Sequence, residues 1–249
     1  MRVIISPAKK MKVDTDLDYN QLPKFIKDTE FCLACLKELS YEQLKSIWKC
    51  SDQIASLNYG RLQTMDLYNN LTPAILSFEG IQYKYMAPGV FETKVFEYLE
   101  KHLRILSGFY GILRPFDGVV PYRLEMQAKL KGDDLNSLYD YWNRKLADNL
   151  FSESQCIINL ASKEYSKCIS KYLDKNSRFI TCIFGEKIGN KVVEKGTLVK
   201  MARGEMVRFM AEKRIEDVEE IKDFNRLDYG YDHQLSDDNT FVFIKKKNY

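Results

Sequence analysis

The 249-residue sequence has little that would hold a metal ion or a disulfide framework. It contains two histidines, His102 and His233, which lie far apart, and its six cysteines do not show zinc-ribbon spacing. Cys32 and Cys35 have C-x-x-C spacing, but they fall inside an amphipathic helical pattern rather than at a helix start after a strand. We therefore expect buried, reduced thiols, no bound metal and no cofactor.

The sequence also lacks a run of about 18 apolar residues, so no membrane-spanning helix is predicted. The first residues, MRVIISPAKK, hold an apolar run too short for a signal peptide and continue into charge. These absences predict a cytoplasmic protein without a membrane partner. No internal repeat and no low-complexity linker divides the chain, so we expect a single domain over residues 1–249, and a monomer.

The net charge of +3 is small, but the charges are unevenly distributed along the chain. Residues 101–131 hold six Lys or Arg against two acids, whereas residues 212–238 hold ten acids against four bases. If the fold keeps this segregation, one face is positive and suits an anionic partner. The alternative is that both segments are ordinary solvated surface.

Local patterns predict helices and strands mixed throughout the chain. Ser40 and Gln43 form a capping box that starts a helix. Predicted helices cover about 21–39, 41–48, 52–62, a segment ending near Ser107, 138–150, 162–172 and 202–215. Predicted strands cover 3–5, 156–160, 178–184, 191–200 and 240–245, with a Gly189-Asn190 turn between two of them. This mixture indicates an α/β or α+β protein.

The segment from Leu103 to Met126, LRILSGFYGILRPFDGVVPYRLEM, is unusually dense in glycine, arginine and tyrosine. A helical pattern enters it and stops at Gly108, where glycine permits a left-handed cap, and Gly111 follows. Exposed N–H groups in such a turn, with Arg104 and Arg114 beside it, would suit phosphate oxygens. The alternative is a simple helix cap whose arginines form internal ion pairs. The helical pattern that enters the segment consists of the apolar residues Val95, Leu99, Leu103 and Leu106.

Two further segments carry candidate phosphate contacts. Lys9 follows the first strand in a Ser-Pro-Ala-Lys turn, and loops at strand ends are where α/β folds bind ligands. Lys200, Arg203 and Arg208 are predicted near a helix start, which favours anions. The alternatives are a surface lysine after a turn, and pairing of Arg208 with Glu212 four residues later.

A set of polar residues in otherwise apolar or tight segments is a candidate pocket. Because buried charges must be paired, one interpretation is an internal arginine–carboxylate network that orders the loops. The other is a pocket with a general acid or base that acts on a nucleotide. The candidates for chemistry are Ser107, Asp117, Arg123 and Glu125, and the remaining members of the set are Asn159, Ser162, Glu164 and Arg203.

Four motifs resemble those of the YaaA family of bacterial peroxide-stress-response proteins. They are ISPAKKM at residues 5–11, LSGFYGILRPFDGVVPYRLEM at 106–126, NLASKEY at 159–165 and KMARGEMVRF at 200–209. Their order and spacing match the family along essentially the whole chain.

The resemblance implies a single compact α/β unit of unusual topology, not a doubly wound sheet, with a helix-hairpin-helix-like element. It also implies binding of duplex or distorted DNA through a positive cleft, and limitation of iron-dependent oxidative damage. The expected DNA contacts are Lys9, Arg104, Arg114, Arg123, Lys200, Arg203 and Arg208, with Gly108 and Gly111 shaping the hairpin. The alternative is an enzyme that acts on a nucleotide or a nucleic-acid base through the Asp117, Arg123, Glu125 and Ser107 set.

Overall fold

The structure, a computed structural model, describes residues 1–14, 16–130, 137–189 and 191–246. The strands of its central sheet are β1 (Arg2–Ile5), β5 (Leu103–Ser107), β6 (Gly111–Leu113), β8 (Cys156–Leu160), β9 (Arg178–Ile188), β10 (Lys191–Val193), β11 (Tyr229–Tyr231) and β12 (Thr240–Lys245). Their order is β11-β12-β9-β8-β1-β5-β6, and β10 pairs with the carboxyl end of β9. Two small ladders join β2 (Lys10–Met11) to β4 (Phe78–Glu79), and β3 (Thr72–Pro73) to β7 (Gly118–Val119).

The α-helices are α1 (Ile26–Lys37), α2 (Tyr41–Trp48), α3 (Asp52–Gln63), α4 (Ala74–Ser77), α5 (Ile81–Met86), α6 (Thr93–His102), α7 (Leu138–Trp142), α8 (Lys145–Glu153), α9 (Lys163–Ser170) and α10 (Gly196–Lys213). Two 3₁₀ turns lie at Pro88–Val90 and Val218–Asp223. The capping box predicted for α2 is confirmed, because the Ser40 hydroxyl accepts from the Gln43 N–H and the Gln43 side chain accepts from the Ser40 N–H. The alternating helices and strands confirm the α/β class.

Within the sheet, β12, β9, β8, β1 and β5 run parallel, and antiparallel strands β11 and β6 lie at its edges. The strand order reverses at β1, which pairs with β5 on one side and with β8 on the other. Helices lie on both faces, since Val3 shares a small cavity with α6 and α10 while its neighbour Arg2 bonds Glu153 of α8. Doubly wound sheets share these two features. Antiparallel strands at both edges nevertheless distinguish this mixed sheet from an all-parallel doubly wound sheet, so the unusual topology is as expected.

Three predicted elements need correction. The helix expected to end near Ser107 ends at His102, and residues 103–107 form the wholly buried strand β5. A strand buried on both faces does not alternate between apolar and polar residues, and Leu103 and Leu106 of β5 also fit helical spacing. The helix predicted over 138–150 is two helices, because Asn143 has a φ of 41° between α7 and α8. The strand predicted over 191–200 ends at Val193, and α10 begins at Gly196. Asn190 of the predicted turn lies outside the described residues.

The glycine-rich segment at 107–111 is therefore a turn between two strands, with Ser107 paired to Gly111. The whole turn is buried, and the indole N–H of Trp142 donates to the Gly108 carbonyl at 3.0 Å. Gly111 has a φ of +74° and lies against Trp142, which leaves no room for a side chain. The glycines thus permit close packing and do not present N–H groups to solvent.

Helices α5 and α10 cross at unusually short range because of Gly204. A Cβ atom at this position would lie 2.1 Å from the carbonyl oxygen of Gln82 and 2.9 Å from the Met86 nitrogen. Backbone contact of this kind leaves no space for even one methyl group. The crossing brings the side chains of α5 next to those of α10, and it sets the position of Gln82 relative to Arg203.

We predict that Gly204→Ala destabilises the protein although alanine favours helices. The methyl group must push α5 away, and overpacking of this type costs about 1–3 kcal/mol, enough to lower Tm by roughly 2–10 °C in a chain of this size. Gly60→Ala is the matched control, because Gly60 is an exposed glycine of α3 with open space around its Cβ position. It should raise stability by up to about 1 kcal/mol. Equal effects of the two substitutions on thermal unfolding would contradict the close crossing.

Candidate functional site

A cleft of about 420 Å³ opens beyond the carboxyl ends of β1 and β8. This is the point at which the strand order reverses, where the loops of neighbouring strands diverge and leave a crevice for ligands. The walls come from the turn after β1, the start of α9, the extended segment 122–125, and the helices α5 and α10. Five segments that are distant in sequence therefore meet at this one cleft.

Hydrogen bonds between the loops fix the shape of the cleft. The Ser6 hydroxyl accepts from the Ser162 N–H at 2.9 Å, which ties the turn after β1 to the start of α9. The Tyr83 hydroxyl donates to the Ser6 carbonyl at 3.0 Å, which ties the same turn to α5. The Ser107 hydroxyl accepts from the N–H groups of Phe109 and Tyr110 and bonds the Tyr122 hydroxyl at 2.7 Å. Ser107 thereby orders the buried turn beneath the cleft and holds one of its walls.

Gly108 positions the segment that carries Arg123 and Glu125. A Cβ atom on Gly108 would lie 2.6 Å from the Leu124 carbonyl oxygen, so this glycine lets the segment pass directly over the turn. The Arg123 guanidinium donates to the Trp48 carbonyl at 3.3 Å, at the end of α2. Its side chain is only 8% exposed, and that of Glu125 is 11% exposed. Both side chains therefore belong to the floor of the cleft.

Cationic side chains outnumber carboxylates in the cleft. The Glu125 Oε1 atom lies 3.3 Å from Lys9 Nζ and 3.4 Å from an Arg123 nitrogen, close enough for ion pairing but without hydrogen-bond geometry. Arg203 is 14% exposed and its nearest carboxylate, Glu194, is 4.0 Å away. The five cations are Lys9, Lys10, Arg123, Lys200 and Arg203, and the three carboxylates are Glu79, Glu125 and Glu164.

Burial perturbs the titration of several lining groups. It raises the pKa of the Glu164 carboxyl, and the negative charge of Glu125 raises that pKa further, although the Gln127 N–H donates to Glu164 and opposes the shift. Burial lowers the pKa of the Arg203 guanidinium. It also raises the pKa of the Tyr122 hydroxyl, so the tyrosine wall is neutral. The cleft therefore places a carboxyl with a raised pKa near the buried guanidinium of Arg203.

Unsatisfied polar atoms concentrate in this cleft. Among the described residues, five buried side-chain nitrogen or oxygen atoms have no hydrogen-bond partner within the protein. Four of them belong to residues that line the cleft: Gln82 Nε2, Arg123 Nε, Arg203 Nε and Glu125 Oε1. Nearly all buried polar groups in folded proteins are paired, and an unpaired one costs about 1–3 kcal/mol or more when charged. Such clustering indicates groups arranged for a ligand.

The predicted phosphate contacts divide into two groups. Lys9, Arg123, Lys200 and Arg203 converge on the cleft. Arg104 instead bonds Glu153 at 2.6 Å and is almost fully buried, which is the internal ion pair weighed as an alternative. Arg114 is exposed on another surface and donates to Gln21.

Arg208 lies more than two turns beyond the start of α10, since that helix begins earlier than predicted. Its Nε atom donates to Glu212 at 2.7 Å, as the pairing alternative expects. The helix-start argument for Arg208 is therefore wrong.

The candidate catalytic residues also divide into those that line the cleft and those that do not. Asp117 is remote from the cleft, and its carboxylate accepts from the Arg114 N–H and from the Gln21 side chain, both at 2.8 Å. Burial raises the pKa of Asp117 to about 6. Asp117 thus orders a turn, whereas Arg123 and Glu125 line the cleft.

Sequence reasoning missed Gln82. Its neighbours, IQYKYM, gave no chemical signal, and only the close approach that Gly204 permits brings the Gln82 amide to the cleft.

Two further findings concern metal-binding groups and membrane-spanning helices. No group of three or more His, Cys, Asp or Glu side chains is placed to hold a metal ion in the part of the chain that the structure describes. Across the same residues, no helix combines the length and the apolar character needed to cross a lipid bilayer.

Comparison with known proteins gives a consistent result over the whole chain. The family described as "Peroxide stress protein YaaA" matches residues 1–235. A UPF0246 protein of Desulfitobacterium hafniense is 58% identical over 246 residues, which cover 98% of each chain. A UPF0246 protein of Agathobacter rectalis is 58% identical over 247 residues, 99% of each chain, and one of Pediococcus pentosaceus is 52% identical over 248 residues, also 99% of each. The chain belongs to the YaaA family of peroxide stress proteins.

Proposed function

We propose that this protein serves in the peroxide stress response by binding DNA through the cleft between β1 and β8, and that this binding limits iron-dependent oxidative damage to DNA. The supporting observation is the convergence of Lys9, Arg123, Lys200 and Arg203 at one cleft from three separate segments. Lys9 and Lys200 are exposed at the rim, where a phosphate backbone can reach them. Phosphate contacts carry no base information, so the proposed binding has little sequence preference.

The distribution of charge in the fold also supports the cleft as the DNA-binding surface. Arg104 and Arg208 pair with Glu153 and Glu212, so these basic residues are neutralised within the protein. In the cleft the cations exceed the carboxylates by two. An excess of positive charge in a concave, partly dry site attracts anions more strongly than the same charges on open surface. The proposed contact set is therefore smaller than the sequence suggested, and it is concentrated in one place.

We predict that the affinity for duplex DNA falls steeply with salt and that the cations of the cleft cause this dependence. If four cations neutralise phosphates, the log–log slope of affinity against salt for a duplex should be near −3 to −4. Lys9→Ala/Lys200→Ala should flatten that slope by about two. The measurement is fluorescence anisotropy of labelled duplex DNA over a salt series.

The control variant for this series is Lys27→Ala/Lys101→Ala. It removes the same charge from exposed, ion-paired lysines outside the cleft. Its slope should equal that of the wild type. An equal flattening in both variants, or no binding at low salt, would contradict DNA binding through this cleft.

A second candidate function is an enzyme that acts on a nucleotide or a nucleic-acid base. The observation that favours it is the pair of carboxylates, Glu125 and Glu164, in one cleft with buried arginines. Burial and the neighbouring charge raise the pKa of Glu164, which brings this carboxyl closer to the range in which a general acid works. Such a pair suits general acid and base catalysis. Neither Asp117 nor Ser107 belongs to this candidate site.

Glu125→Gln separates the two functions. On the binding proposal it removes a negative charge from the cleft, so DNA affinity should hold or increase, and peroxide survival of a strain carrying only this variant should persist. Asp117→Asn is the control, since Asp117 lies in a turn outside the cleft. Lost survival with DNA affinity and Tm intact, for Glu125→Gln alone, would favour catalysis over binding.

A further inference from the structure

The floor of the cleft offers more than a track for a DNA backbone. The Arg123 and Arg203 side chains are 8% and 14% exposed, so they lie below the rim that Lys9 forms. A duplex is a wide rod whose phosphates lie along its surface. Such a rod can bring single phosphates near these side chains from the rim, but it does not fill a recessed floor. The buried guanidiniums are therefore contacted more closely by a ligand that enters the cleft.

The unsatisfied atoms define what that ligand must carry. Gln82 Nε2, Arg123 Nε and Arg203 Nε are donors without acceptors, and Glu125 Oε1 is an acceptor without a donor. Guanidinium groups bind phosphate and carboxylate oxygens with matched geometry. Because the Nε–H groups of two guanidiniums have no acceptor in the described part of the chain, the ligand needs an anionic group with several oxygens. It also needs a further acceptor for Gln82 and a hydroxyl or amino donor for Glu125.

The charge of the cleft selects among anions. Five cations face three carboxylates, an excess of two positive charges. A phosphate monoester carries nearly two negative charges at neutral pH, whereas the phosphodiester within a DNA strand and a single carboxylate each carry one. The monoester therefore matches the cleft more closely than the other two groups.

The remaining walls suit a flat ring. Tyr83, Tyr122 and Tyr165 are nearly buried and line the cleft together with Ile81. Aromatic side chains of this kind provide stacking surfaces for bases. The volume of about 420 Å³ falls within the usual range for small-molecule sites. A base, a sugar with hydroxyl groups and a terminal phosphate together meet the requirements of the walls and of the floor.

We propose that the cleft binds the phosphomonoester of a nucleoside, either as a free nucleotide or as the 5′-phosphate at a DNA strand end. The phosphate lies against Arg123 and Arg203, and a sugar or base donor bonds Glu125. Binding at a strand end rests on the proposed function, whereas binding of a free nucleotide does not.

Calorimetric titration with 2′-deoxyadenosine 5′-monophosphate tests the proposal. This nucleotide should bind at least tenfold more tightly than deoxyadenosine or inorganic phosphate. Arg203→Gln should weaken it at least tenfold, and its ligand-free Tm should be unchanged or higher, because the variant removes a buried charge whose Nε atom has no acceptor among the described residues and whose ion pair with Glu194 is long at 4.0 Å. Gln82→Leu removes a second unsatisfied donor and should also weaken nucleotide binding. It replaces Arg203→Gln as the test variant if Arg203→Gln fails to fold.

Arg208→Gln is the matched control, one turn further along the same helix and paired with Glu212 outside the cleft. It should bind the nucleotide as the wild type does. No binding of the nucleotide at millimolar concentration, or equal affinity in the wild type, Arg203→Gln and Gln82→Leu, would overturn the proposal.

The two sources of the ligand are separated with hairpin duplexes that differ only in a 5′-phosphate or a 5′-hydroxyl at the single end. Tighter binding of the phosphorylated hairpin, reversed by the free nucleotide, indicates strand ends. Nucleotide binding without that preference indicates a free nucleotide. If the nucleotide binds and no DNA does, this proposal stands and the proposed function fails. If DNA binds and the nucleotide neither binds nor competes, the proposed function stands and this proposal fails.

Discussion

Parallel pairing of β1 with both β5 and β8 determines where the cleft forms and which segments line it. β5 lies on one side of β1 and β8 lies on the other. The loops that follow β1 and β8 therefore leave the sheet in diverging directions. The crevice between them is a consequence of strand order and does not need a dedicated loop. The hydrogen bond from the Ser162 N–H to the Ser6 hydroxyl keeps these two loops together at the base of the crevice.

Two glycines determine how closely the other walls of the cleft pack against their neighbours. Gly108 lets the segment with Arg123 and Glu125 cross directly over the buried turn, and Gly204 lets α5 contact α10 through its backbone. Both glycines act by the absence of a side chain. Their motifs, SGFYG and ARGEM, are therefore linked to the cleft through packing, although neither glycine contacts a ligand in this account.

The cleft holds polar groups that folding alone does not explain. Unpaired buried donors and an unpaired carboxylate oxygen lower stability, each by roughly 1–3 kcal/mol or more. The buried guanidinium of Arg104, by contrast, is paired with Glu153. Arg123 and Arg203 each keep an Nε atom without an acceptor in the residues that the structure describes, and the proposed ligand site rests on this contrast with Arg104.

Local signals in the sequence predicted α2, α3, β8 and β12, because a capping box and short apolar runs act over a few residues. For residues 103–107 the apolar spacing predicts a helix where the structure has a strand, since a strand buried on both faces has no alternation to reveal its period of two. Lys9, Arg123, Lys200 and Arg203 were found from residue type and motif. Gln82 was not found, because its role depends on contact between α5 and α10 rather than on its neighbours in the chain.

The most direct test of the central claim is side-chain NMR of the arginine Nε–H groups during titration with a short 5′-phosphorylated duplex. Arg208 Nε already donates to Glu212 and serves as an internal reference. If the cleft is the binding site, the Arg123 and Arg203 signals should shift and exchange more slowly with water, and the Arg208 signal should stay in place. Unchanged Arg123 and Arg203 signals at saturation would contradict the account, because the ligand would then bind elsewhere on the protein.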